Sequence, residues 1–121
     1  MIYTLKDVAD FCYVNKGRRA FVKHSLYGVQ MRVIEAYDAN TLHLVESPTE
    51  LLGVCIGKPH HAKKVVHIEE IVCKGTAFRT FVKEVFARYP GYLVTGYRQK
   101  TKQRELKTFT ERNFWAAALQ A

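Results

Sequence analysis

A chain of 121 residues, 48% hydrophobic and 25% charged, has the composition of one soluble globular domain spanning residues 1–121 and is long enough to bury a core. No apolar run approaches the roughly 18 residues of a membrane span. The opening "MIYTLKDVAD" lacks the basic start and apolar stretch of a signal peptide, so a cytoplasmic protein with no membrane association is expected.

The net charge of +8 is unevenly placed. Residues 1–72 carry nine basic and eight acidic groups, a net of +1, and residues 73–121 carry ten and three, a net of +7. Such asymmetry suits a polyanionic partner, nucleic acid or an acidic protein, for the C-terminal part. A solvated basic face is the plainer alternative. Cys12, Cys55 and Cys73 are odd in number and lack CxxC spacing, so they signal neither a zinc site nor a disulfide framework. They read as small buried hydrophobes.

In chain order, Thr4 with Asp7 marks a helix start. Leu5, Val8, Ala9 and Cys12 at helical spacing predict a helix over 5–14, closed by Asn15-Lys16-Gly17. Ala20, Phe21, His24, Leu26 and Tyr27 fit a second helix with a break near Gly28. Val29 to Ile34 fits a strand or a further helical turn. After the turn Asp38-Ala39-Asn40 come the strand "TLHLVES" (41–47), the turn Ser47-Pro48-Thr49-Glu50, and the strand "LLGVCIG" (51–57). "KPHHAKK" (58–64) is a polar connection, and "VVHIEEIVC" (65–73) the next strand. Regular alternation in that strand would put Val66, Ile68, Glu70 and Val72 on one face and Val65, His67, Glu69, Ile71 and Cys73 on the other.

Phe78, Phe81, Val82, Val85 and Phe86 recur as one helical stripe, with Arg79, Lys83, Glu84 and Arg88 opposite, Thr76 as N-cap and Pro90-Gly91 as the stop. "YLVTGYR" (92–98) follows as a strand, and a strand reached through a helix is the arrangement of a parallel pair. "QKTKQRELK" (99–107) is basic. Thr110 and Glu111 begin a last helix with Phe114, Trp115, Ala118 and Leu119 as its apolar stripe.

This order, carried most specifically by "LHLVE", "LLGVCIG" and "VVHIEEIVC" followed at once by an amphipathic helix, resembles the GNAT N-acetyltransferase fold over roughly residues 37–98. The chain is also similar to the short, basic GNAT-like proteins of tailed bacteriophages, which implies host cytoplasm or virion. The resemblance implies an α+β domain with a central mixed sheet, largely antiparallel, and helices packed on both faces. It also implies acetyl-coenzyme A as cofactor. The pantetheine arm would pair with residues 65–73, and the pyrophosphate would meet the turn Cys73, Lys74, Gly75, Thr76 and Ala77, with Arg79 beyond it. Unpaired amides and the helix dipole attract phosphate there. The turn has one glycine where the family pattern Q/R-x-x-G-x-G/A has more, and no Gln or Arg opens it. Glu69 and Glu70 fall where the family carries a carboxylate base, and Tyr97 is the candidate acid.

Arg98, Lys100, Lys102, Arg104, Lys107 and Arg112, interleaved with Tyr97 and Phe109, suit a nucleic-acid backbone or an acidic protein surface. The first reading is therefore a GNAT-like protein with weak or absent catalysis that binds an acidic partner through this segment. Two others stay open: an active divergent N-acetyltransferase acting on an amine, and a nucleic-acid-binding module without cofactor. No metal-ligand pattern accompanies His60, His61 and His67.

Overall fold

The computed structural model describes residues 3–15, 24–100 and 103–109. They form, in order, α1 (Leu5–Asn15), α2 (Leu26–Asp38), β1 (Leu42–Glu46), β2 (Leu51–His60), β3 (Val65–Cys73), α3 (Ala77–Arg88), β4 (Leu93–Lys100) and β5 (Gln103–Phe109). The fold is α+β. The strands make one mixed sheet in the order β1-β2-β3-β4-β5. β1–β2, β2–β3 and β4–β5 pair antiparallel, and β3–β4 pair parallel.

α1 begins in a reciprocal cap. The Asp7 amide donates to Thr4 Oγ1 at 3.1 Å, and the Thr4 amide donates to Asp7 Oδ2 at 3.0 Å, which satisfies amides that the first helical turn leaves open. In α2 the expected break at Gly28 does not occur. Ser25 caps the helix by accepting from the Gly28 amide at 3.1 Å, so the glycine lies inside the first turn, where its amide is needed by the cap. Val29, Val33 and Ala36 are buried at helical spacing, which settles Val29–Ile34 as helix. The helix ends at Ala39, and Asn40 reverses the chain with φ of 59°. At the turn after β1, Ser47 Oγ accepts from the Glu50 amide at 3.0 Å.

The sheet separates two cores. On one face α1 and α2 bring Val8, Ala9, Cys12, Val29, Val33 and Ala36 onto Leu51, Val54, Ile56 and Val72. On the other, α3 brings Ala77, Phe81, Val82, Val85 and Phe86 onto Val45, Cys55, Val66 and Val94. Gly53 lies where β2 meets the end of β3 and the start of α3: a Cβ there would sit 3.0 Å from Cys73 Sγ and 3.3 Å from the Ala77 Cβ.

Three further sequence expectations need correction. First, β2 runs on through Lys58, Pro59 and His60, pairing with His67, Val66 and Val65. Pro59 is tolerated because the Gly57 amide donates to Thr41 on the β1 side. Two residues further on, the proline nitrogen faces that same side, where β1 has ended. Second, the alternation of β3 is interrupted. Ile56 pairs with Glu70 but Gly57 pairs with Ile68, so Glu69 is an extra residue, a β-bulge that moves later side chains to the opposite face. Val66 and Ile68 therefore pack with α3, and Val72 with α1 and α2. Third, the basic stretch after residue 98 contains β5, paired with β4 from Val94–Phe109 to Lys100–Gln103. The helix expected from Thr110 lies outside the described residues.

Phe81 is fully buried at the centre of the α3 core. Its replacement by alanine should cost about 3–5 kcal/mol, read as a lower urea midpoint with unchanged slope. A loss under about 1 kcal/mol would contradict this placement.

Candidate functional site

The parallel pairing of β3 with β4 covers only Val65–Leu93, Val66–Val94, His67–Thr95 and Ile68–Gly96. Beyond Ile68 and Gly96 both strands continue, β3 to Cys73 and β4 to Lys100, without a shared register. The divergence begins at the Glu69 bulge. Past it, β4 pairs only with β5, and no described strand lies against the β4 side of residues 69–73. The result is a wedge opening toward the C-terminal ends of both strands, with the turn into α3 at its mouth.

That turn is built by Gly75, whose φ of +57° is one that other L-residues adopt only with strain. The Lys74 amide donates to the Leu52 carbonyl at 2.8 Å, and the Ala77 amide returns to the Lys74 carbonyl at 3.2 Å. Ala77 thus has no amide left for a ligand, contrary to expectation. Thr76 occupies the N-cap position but makes no side-chain cap hydrogen bond. Nothing lies within 4 Å of a Cβ built on Gly75, so the turn has open space beside it. Lys74 Nζ sits 5.4 Å from the centre of the Phe11 ring, which ties the turn to α1. Arg79 is exposed on the first turn of α3.

The two carboxylates do not face apart as alternation predicts. Glu69 forms an ion pair with Arg32 of α2. Glu70 lies on the same side, where its charge adds to the burial that pushes the Cys12 thiol up to about 12. Glu69 therefore presents its carboxylate to a guanidinium. Tyr97 is the first β4 residue past the parallel register, paired with Leu106. Arg98 pairs with Glu105, Gln99 with Arg104 and Gly96 with Lys107, so the backbone of the basic hairpin flanks the same wedge. Lys102 and Arg112 lie outside the described residues.

Burial raises the Cys73 thiol to about 11 and holds Cys55 well above its ordinary range, so neither supplies a thiolate at neutral pH. His61 Nδ1 shares a 2.7 Å hydrogen bond with Tyr92 Oη, and His67 Nδ1 one of 2.8 Å with Thr95 Oγ1. Among the described residues no group of three or more His, Cys, Asp or Glu is arranged to hold a metal. No described helix is long and apolar enough to cross a membrane.

Sequence reading did not find the Arg32 partner of Glu69, 37 residues away in the chain, because nothing local marks such a pair. It also did not single out His43, which lies edge-on to Phe81 with ring centres 5.7 Å apart. Burial, and secondarily the Arg88 charge, lower its pKa from 6.5.

No protein-family model matches the chain, and neither a curated protein nor a solved structure matches it.

The lowered pKa of His43 has a definite sign. Below pH 6.5 the unfolded chain takes up a proton that the folded chain resists, so stability is complete above that pH and falls as the pH drops through it. Melting temperatures of the wild type and His43→Gln across this range should diverge, with the variant losing less on acidification. Parallel profiles would remove His43 as the cause.

Proposed function

We propose that this chain is a GNAT-like domain that holds an acyl-coenzyme A in the wedge between β3 and β4, with weak or absent catalysis. The observation that carries the reading is the early end of the β3–β4 register at Ile68 and Gly96. An open strand edge recognises an extended amide-bearing chain by main-chain hydrogen bonds, as an added strand does, and pantetheine is such a chain. The turn at the mouth supports the same reading. Gly75 in its left-handed conformation leaves room for close approach, and the α3 N-terminus favours negative charge. Lys74 adds a cation beside it.

Weak catalysis is supported by Glu69. Its carboxylate is engaged by Arg32, so it accepts from a guanidinium where a general base would accept from the substrate amine. Transfer to an amine would then fall to Glu70, with Tyr97 as acid, and this active transferase is the less favoured version of the reading.

A second reading has its own support. Ten basic against three acidic groups in residues 73–121, with Arg98, Lys100, Arg104 and Lys107 in the β4–β5 hairpin, suit an acidic macromolecular partner, nucleic acid or protein, bound chiefly through charge. This partner needs no cofactor.

Acetyl-coenzyme A titrated into the protein should raise the melting temperature and give a calorimetric isotherm in the micromolar range, about −8 kcal/mol. Gly75→Trp should weaken binding at least roughly tenfold, or about 1.4 kcal/mol, by closing the open space at the turn. A flat titration of the folded wild type would overturn the cofactor reading. Replacing Arg98, Lys100, Lys102 and Arg104 with alanine should shorten salt-dependent retention on heparin, and unchanged retention would remove the second reading.

A further inference from the structure

The solvent side of α3 carries exposed cations that lie outside the β4–β5 hairpin, and of these only Arg79 falls beside the turn at the wedge. Arg79 and Lys83 are exposed one turn apart, and Arg88 is exposed at the helix end. The β2–β3 turn adds exposed Lys63 and Lys64 at that end. It is brought there because the Leu93 amide donates to the Lys64 carbonyl at 2.9 Å, and because His61 reaches Tyr92. Glu84 is the only acid in residues 58–64 and 77–92. The Arg32–Glu69 ion pair lies on the opposite face, and Glu84, one turn before Arg88, is the acid that α3 sets among these five cations. Like charges gathered in excess repel one another, and a bound polyanion relieves that repulsion while releasing its counterions.

The C-terminal end of α3 meets two rings. The Arg88 guanidinium lies 5.6 Å from the Tyr89 ring centre. Tyr89 and Tyr92 lie 5.3 Å apart with planes inclined by 36°, and both are partly exposed. A cation stacked on aromatic rings, with further cations around it, suits a phosphodiester backbone and offers surfaces on which unpaired bases stack. A membrane surface fits less well, because binding in the lipid interface sets large apolar side chains beside the cations. Among the described residues the exposed large hydrophobics, Tyr13, Val14, Leu26, Tyr27, Met31, Ile34 and Tyr37, all lie on α1 and α2, across the sheet. We infer that the outer face of α3 with the β2–β3 turn is a binding surface for single-stranded nucleic acid, distinct from both the wedge and the β4–β5 hairpin.

The test uses the full chain and a fluorescein-labelled oligothymidylate of about 15 nucleotides, followed by anisotropy over a range of salt. The K63Q/K64Q/K83Q variant removes three exposed cations assigned no part in the wedge. It should lower affinity roughly tenfold at about 100 mM salt and reduce the slope of log affinity on log salt by about 2. Its melting temperature and response to acetyl-coenzyme A should match the wild type, so failure here is separate from failure of the cofactor reading. Unchanged affinity and slope in the variant, or no oligonucleotide binding by the wild type, would overturn the inference. So would equally strong binding to vesicles of phosphatidylserine and phosphatidylcholine, lost in the same variant, which would assign the face to anionic surfaces generally.

Discussion

A single extra residue in β3 governs the arrangement of the sheet. The pairing of Ile56 with Glu70 and of Gly57 with Ile68 forces Glu69 out of the ladder and reverses which face the following side chains meet. Without that reversal Glu70 would share a face with Val66 and Ile68, inside the core under α3. An unpaired carboxylate there would cost on the order of several kcal/mol. With it, Val66 and Ile68 pack with α3 while Val72 completes the core under α1 and α2. Glu69 meets Arg32 on the same side. The parallel partner strand departs at the same point. Core composition, carboxylate placement and the wedge thus follow from one local insertion.

The two faces of the sheet meet solvent differently. Over α1 and α2 the outer surface is apolar in character, with Val14 78% and Tyr27 71% exposed. Over α3 it is cationic. An ion pair between partly exposed groups such as Arg32–Glu69 contributes little to stability, about 0–1 kcal/mol. Its interest lies in position, since it fixes a carboxylate beside the point where the strands part.

Much of this was legible from residues alone because the signals were local. The Thr4–Asp7 cap, the turn at Ser47 and the stripe from Phe78 to Phe86 each reflect chemistry within a few positions, and each appears in the structure. What escaped was non-local or chemically disguised. "HIEEIV" reads equally well as regular alternation, and only the partner strand shows which glutamate is surplus. The end of β2 is written in loop-like residues, Lys58, Pro59 and His60, and it is a strand because β3 lies beside it. β5 is polar enough to resemble a solvated segment, and its pairing with β4 leaves no periodic apolar trace. Of the candidate site, the turn at Gly75 could be read directly; the departure of β4 from β3 could not.

The brevity of the β3–β4 seam also bears on how the molecule comes apart. Four residue pairs join the β4–β5 hairpin to the other strands, and Val94 is its fully buried anchor in the α3 core. β2 and β3, by contrast, share eight pairs. Cooperative opening units follow such differences in contact. By this measure the β4–β5 hairpin is joined to the rest of the described sheet more thinly than β2 is joined to β3. The seam is at once the apex of the wedge and the narrowest junction between described strands.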